Sequence, residues 1–191
     1  MSLLVTRSRG RLKARGRSKG LPTVLMGYAI ECLVEAYALI GSGGRLTTAR
    51  PGSDVDHKDF IVDEKGGYRS IYVQVKGAPR LYQGGEFQIN VRYAKNKVLS
   101  GRRLVYVFCL LDADAMSLTR MWVIPARDFH RLAPRVSVSE RHIQFLFHAG
   151  RNGKWTRFEI IPTQLGVRLL EIIRGLPRQT SARRTVGKIA A

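Results

Sequence analysis

The sequence predicts an α/β protein whose mixed central β-sheet is flanked by helices, and three features carry that prediction. A long apolar segment framed by Pro22 and by Gly41, Gly43 and Gly44 has helical spacing. Two short β-rich runs, Asp59-Phe60-Ile61-Val62 and Ile71-Tyr72-Val73-Gln74-Val75, flank a Gly-rich turn. Leu104 to Leu111 is almost continuously apolar, as a strand buried on both faces must be.

The elements follow in order. A helix is expected over 23–40. At roughly 100° per residue its apolar stripe is Leu25, Ala29, Cys32, Leu33, Ala36 and Leu39, with Glu31 and Glu35 together on one flank. A strand over Arg45–Ala49 is broken by Pro51-Gly52-Ser53. Asp59–Val62 and Ser70–Lys76 form a hairpin across Asp63-Glu64-Lys65-Gly66-Gly67, the glycines standing where positive φ is needed. In the second strand Gln74 and Lys76 share a face, and Val73 and Val75 take the other. Met121–Ile124 is a strand, and Pro125 opens a short helix reaching Leu132. His142–Phe147 and Trp155–Ile161 read as strands around Gly150-Arg151-Asn152-Gly153. Thr163 caps a last helix to Arg174, with Leu165, Leu169, Leu170 and Ile173 on its apolar side.

Charge sets the expected partner. The 191 residues hold 33 Lys and Arg against 14 Asp and Glu, a net +19. That excess is in the range of nucleic-acid binders. Residues 1–20 carry seven basic and no acidic residues, and residues 174–191 carry five and none, so the body between them is still +7. The chain divides into a basic arm at 1–20, one folded domain at 21–174 and a basic tail at 175–191. In the arm Arg7, Arg9, Arg11, Lys13, Arg15, Arg17 and Lys19 occupy alternate positions, a self-repelling run expected to be disordered alone and able to follow phosphates. Arg80, Arg92, Lys95, Lys97, Arg102 and Arg103, interspersed with Tyr82 and Tyr93, form a second basic flank. No apolar run reads as approaching the ~20 residues of a membrane span. Cys32 and Cys109 sit in apolar runs without metal-ligand spacing and read as buried, reduced thiols of a cytoplasmic, nucleoid-associated protein, with one buried disulfide between them as the alternative. The Arg-rich, acid-free N-terminus also suits an organellar transit peptide.

The acids lie where chemistry is expected. Cutting a phosphodiester needs charge neutralisation at the phosphate, an activated water and a stabilised leaving oxygen. One or two carboxylates can hold magnesium with waters still attached. Asp59 is the main candidate ligand, joined by the Gln74 amide oxygen and the Val75 carbonyl, while Lys76 orients or deprotonates the water or offsets phosphate charge. Glu31 binds through water, with Glu35 as its competitor. Asp54 and Asp56 are rival ligands whose simpler reading is turn chemistry, and His57 could contact a phosphate or replace the lysine as base but reads more simply as an exposed loop residue.

Gly27-Tyr28-Ala29-Ile30-Glu31 on the first helix, Asp59 opening a strand and Gln74-Val75-Lys76 on the next resemble the PD-(D/E)XK nuclease superfamily. Leu104–Phe108 and Met121–Phe129 resemble the later strand and Pro-led turn of its compact members. The resemblance spans about residues 24–130 and implies a restriction-endonuclease-like core. It also implies a Mg2+- or Mn2+-dependent endonuclease, a hydrolase of DNA phosphodiesters, with catalytic Glu31, Asp59, Gln74 and Lys76. Gln74 departs from the family's usual Glu or Asp, and a neutral amide is the weaker magnesium ligand. DNA is the expected partner, with RNA left open, and two-strand cleavage by a one-site domain calls for a symmetric homodimer. The alternative is a non-catalytic nucleic-acid-binding subunit, such as a component of a ribonucleoprotein assembly, on a degenerate nuclease fold.

Overall fold

The computed structural model describes residues 23–51, 58–79, 81, 85–98, 100–150 and 153–177. The basic arm and the tail beyond Pro177 lie outside the described residues, as do Asp54, Asp56, His57, Arg80 and Tyr82.

Helix α1 (Thr23–Gly41) is followed by β1 (Leu46–Ala49), β2 (Phe60–Glu64) and β3 (Ser70–Ala78). After β4 (Phe87–Ala94) come β5 (Leu104–Asp112), β6 (Ser117–Pro125), α2 (Ala126–Leu132), β7 (Arg135–Ser137), β8 (His142–Ala149), β9 (Glu159–Ile160) and α3 (Leu165–Gly175). The main sheet has the order β1-β2-β3-β5-β6-β9, with β3 and β5 parallel and every other pair antiparallel, which is the mixed α/β architecture expected. A second antiparallel sheet, β4-β8-β7, covers one face of the first.

That second sheet was not foreseen. Its strand β4 carries a plain period-2 signal, Phe87, Ile89, Val91 and Tyr93 alternating with Gln88, Asn90 and Arg92, which the surrounding basic residues obscured. Trp155–Ile161 is not a continuous strand. Trp155 and Phe158 turn inward around a 3₁₀ turn, Thr156–Phe158, and only Glu159 and Ile160 pair with β6. Before α3 a 3₁₀ turn over Pro162–Gln164 stands where a threonine cap was expected, and no side-chain cap bond forms.

Alternation along the main sheet sends its two faces into two cores. Val73, Val75, Val105, Val107, Met121 and Val123 meet α1 and α3. Tyr106, Phe108, Trp122 and Ile124 meet α2 and the second sheet. Helix α1 lies on the first face through Ile30, Val34 and Ala38, not through the predicted stripe. Leu25, Cys32 and Ala36 are exposed, so only Cys109 is the buried thiol expected. The helix is apolar around most of its circumference, so periodicity alone does not choose its buried side. The window Val24–Gly41, mean hydropathy 1.6, is by length and composition apolar enough to cross a membrane, contrary to expectation. Glu31 and Glu35 interrupt the apolar run without lowering that mean below the range of a span.

Candidate functional site

The site is assembled at β3, where a hairpin, a helix and a buried hydroxyl chain converge. Asp59 immediately precedes β2. Its main-chain N–H donates to the Val73 carbonyl at 2.9 Å, and its Oδ2 accepts the Val75 N–H at 2.5 Å. The carboxylate is therefore tied to β3 through both backbone and side chain. Phe60 pairs with Val73, and both point into the aliphatic core. Asp59, one residue earlier, consequently belongs to the face of Gln74 and Lys76. Because the N–H and C=O of a strand residue leave toward the same neighbour, the Val75 carbonyl lies on the Asp59 side of β3.

Glu31 reaches the site from α1. Helix and strand approach closely because residue 77 is glycine: a Cβ there would stand 2.8 Å from both Ile30 Cδ1 and Ile30 Cγ2 and 3.1 Å from Cys109 Sγ. Burial, and then the negative charge of Asp59, push the Glu31 carboxyl above the ordinary carboxylate range, opposed by Arg50 and Lys76. Glu31 thus feels the charges of both Asp59 and Lys76. Glu35 does different work. Its Oε1 accepts from Thr48 Oγ1 at 2.6 Å and its Oε2 pairs with Arg50 Nη2 at 2.8 Å. Burial raises its pKa, but these hydrogen bonds outweigh that and hold it below the ordinary range. Arg50, which the sequence reading passed over, also pairs with Glu31 at 3.3 Å and lies over the Tyr28 ring. No motif marks it; its position directly after β1 was the available signal.

Gln74 is 2 % exposed and, with Ser42, one of two buried polar residues among the described residues. Its Oε1 accepts the Tyr93 hydroxyl at 3.0 Å, and that hydroxyl is hydrogen-bonded to the Tyr106 hydroxyl, which lies 3.2 Å from His130 Nε2. Burial pushes the Tyr93 phenol up to about 12 and the His130 imidazole down to about 4, so all three rings are neutral at physiological pH. Tyr93 is therefore not part of a nucleic-acid flank, because it is buried and points to Gln74. Arg92 leaves β4 on the opposite side and is exposed, as are Lys95, Lys97 and Arg102. Among the described residues no cluster of three or more His, Cys, Asp or Glu is placed to hold a metal.

The core built around these residues is one used by a nuclease. The bacterial homing endonuclease I-Ssp6803I shares the fold with a TM-score of 0.51, at 15% identity, over 79% of this chain and 95% of that chain. No family model matches the sequence, and no curated protein matches it.

Proposed function

We infer that the chain is a metal-dependent endonuclease that hydrolyses DNA phosphodiesters, built on the PD-(D/E)XK pattern with Gln at the second ligand position. The observation that carries this reading is that Asp59, bonded to β3, and Glu31 from α1, coupled to Asp59 and Lys76, gather at the strand that carries Gln74 and Lys76, within a fold shared with a homing endonuclease. The net charge of +19 suits a polyanionic substrate.

The donor set fits magnesium or manganese. Two carboxylates, an amide oxygen and a main-chain carbonyl are hard oxygen donors, and magnesium commonly takes one or two carboxylates while keeping several waters. The raised Glu31 carboxyl beside Asp59 is a pair of like charges that a cation relieves. Asp59, Gln74 and the Val75 carbonyl would hold the ion, and Glu31 would reach it through water. When bound, it supplies charge neutralisation at the scissile phosphate. The Lys76 ammonium orients the attacking water and stabilises charge on the phosphate oxygens. Glu31 accepts a hydrogen bond from that water and fixes its approach. Arg50 neutralises the Glu31 and Glu35 side of the cluster, which keeps the phosphate from meeting an uncompensated negative face.

Purified protein should nick or cut DNA with Mg2+ or Mn2+. Asp59→Ala and Lys76→Ala should each lower cleavage by orders of magnitude while salt-sensitive DNA binding persists. Cleavage surviving in both variants overturns the site. A binding-only subunit draws support from the neutral, buried Gln74; it would bind nucleic acid with the same salt sensitivity and cut nothing at any metal concentration.

A further inference from the structure

Gln74 differs from the acid it replaces in one respect that the structure addresses directly. A carboxylate presents oxygen at both ends, whereas an amide presents oxygen at one end and NH2 at the other, in nearly the same shape. An amide turned over by 180° would offer hydrogen atoms to a cation. A glutamine at this position therefore works as a ligand only if something distinguishes its two ends.

The buried hydroxyl chain does so, because each member has one proton to give. Gln74 Oε1 only accepts, so Tyr93 donates to it. With that proton committed, the contact between the two tyrosine hydroxyls is donated by Tyr106. Tyr106 then has none left for His130, so Nε2 carries the hydrogen and donates to the Tyr106 oxygen. In a neutral imidazole this leaves Nδ1 as a bare lone pair. His130 Nδ1 is one of the two buried side-chain polar atoms without a partner among the described residues. A buried acceptor left unpaired is less rare than a buried N–H left unpaired, so the direction of the chain puts the vacancy where it is tolerated.

We propose that His130, Tyr106 and Tyr93 are positioning residues that hold Gln74 with its carbonyl oxygen, not its amine, committed to one orientation, leaving that oxygen's second lone pair for the cation. The proposal rests on the endonuclease reading for its consequence and on the hydrogen-bond chain alone for its geometry.

Two measurements test it. The first uses the natural chain without metal or DNA: 15N NMR of the His130 ring should show the Nε2–H tautomer. The Nδ1–H tautomer would reverse every donor in the chain, turn the Gln74 amide over and overturn the proposal, whatever the protein does to DNA. The second uses cleavage. Tyr93→Phe should raise the Mn2+ concentration needed for half-maximal cleavage at least tenfold, the usual cost of losing a ligand's hydrogen-bond partner. In a Gln74→Glu background the same substitution should shift it less than about threefold, because a carboxylate has no wrong end. An equal shift in both backgrounds would mean that Tyr93 supports only packing, and would overturn the proposal while leaving the nuclease intact. Wild-type protein that cuts at no Mn2+ concentration overturns the endonuclease reading, and the His130 tautomer then still decides the chain.

Discussion

The two faces of the main sheet are built from different chemistry. Under α1 and α3, Phe60 is the one aromatic among twenty-one buried core residues. Under the second sheet, ten of seventeen are aromatic, with Phe108 and Phe147 stacked at 4.1 Å and Phe87 on Trp122 at 5.1 Å. Branched aliphatic side chains let backbones come close, and glycines at Gly41, Gly77 and Gly166 bring them closer still. Large rings hold a sheet at a distance and carry polar tips, which is how Tyr93 and Tyr106 thread a hydrogen-bond chain through a core. The candidate site lies where the faces meet: proximity to α1 delivers Glu31, and the aromatic side holds Gln74.

The sharpest way to break the aliphatic side is Gly166→Ala. A Cβ there would collide with the Ser42 nitrogen and the Ala38 carbonyl, both backbone atoms that cannot rotate away. The α1–α3 contact must open, and the loss should exceed about 5 kcal/mol, a large share of a domain's stability. A folded variant with an unchanged urea midpoint would show that the helices do not pack through this glycine. On the aromatic side Phe147→Ala removes a ring against Phe87, Phe108, Trp122 and Trp155. It should cost about 3–5 kcal/mol, and a loss under 1 kcal/mol would mean the ring cluster is loosely packed.

The contrast between faces also explains what could be read from the sequence. Lys76 and Gln74 on one face of β3, Asp59 at the head of β2 and the buried β5 all follow from period-2 alternation and turn chemistry, which are local. The buried side of α1 was not legible, because Leu25, Ala29, Cys32 and Ala36 are as apolar as Ile30, Val34 and Ala38. The choice is made by Gly77 and Gly166, far along the chain. Tyr93 was misplaced for the same reason: its neighbours Arg92 and Lys95 are exposed and charged, while its own partner, Gln74, is nineteen residues away.

Gly77→Ala asks how much proximity the site needs. Ile30 Cδ1 can swing aside, but Cγ2 is fixed to Cβ, so α1 must shift by a few tenths of an ångström. The stability cost should be about 1–3 kcal/mol. Cleavage at saturating Mn2+ should fall more than tenfold as Glu31 withdraws, since small misplacements of positioning groups are expensive. Full activity would show that Glu31 does not depend on this approach.

Glu31→Gln separates function from stability with the smallest thermodynamic effect. Burial and Asp59 raise the folded-state pKa of Glu31 above its ordinary value of 4.5, so the folded chain binds the proton more tightly than the unfolded one. Protonated at low pH, the side chain carries no such penalty, and stability is lost as the carboxylate forms while pH rises from about 4.5 through the folded value. Replacing it by an amide removes that penalty, and Arg50 retains Glu35 as its partner. Without metal the variant should be at least as stable as wild type at pH 7, by less than about 1 kcal/mol because the half-buried group is still screened by solvent. Its stability should also be flatter with pH, while Mn2+-dependent cleavage drops. Urea unfolding in EDTA at pH 4 and pH 7, beside a cleavage assay, reads both. A variant that loses stability at pH 7 would make Glu31 a structural partner of Arg50; one that gains stability and loses cleavage shows a side chain kept at a cost to the fold for the sake of the site.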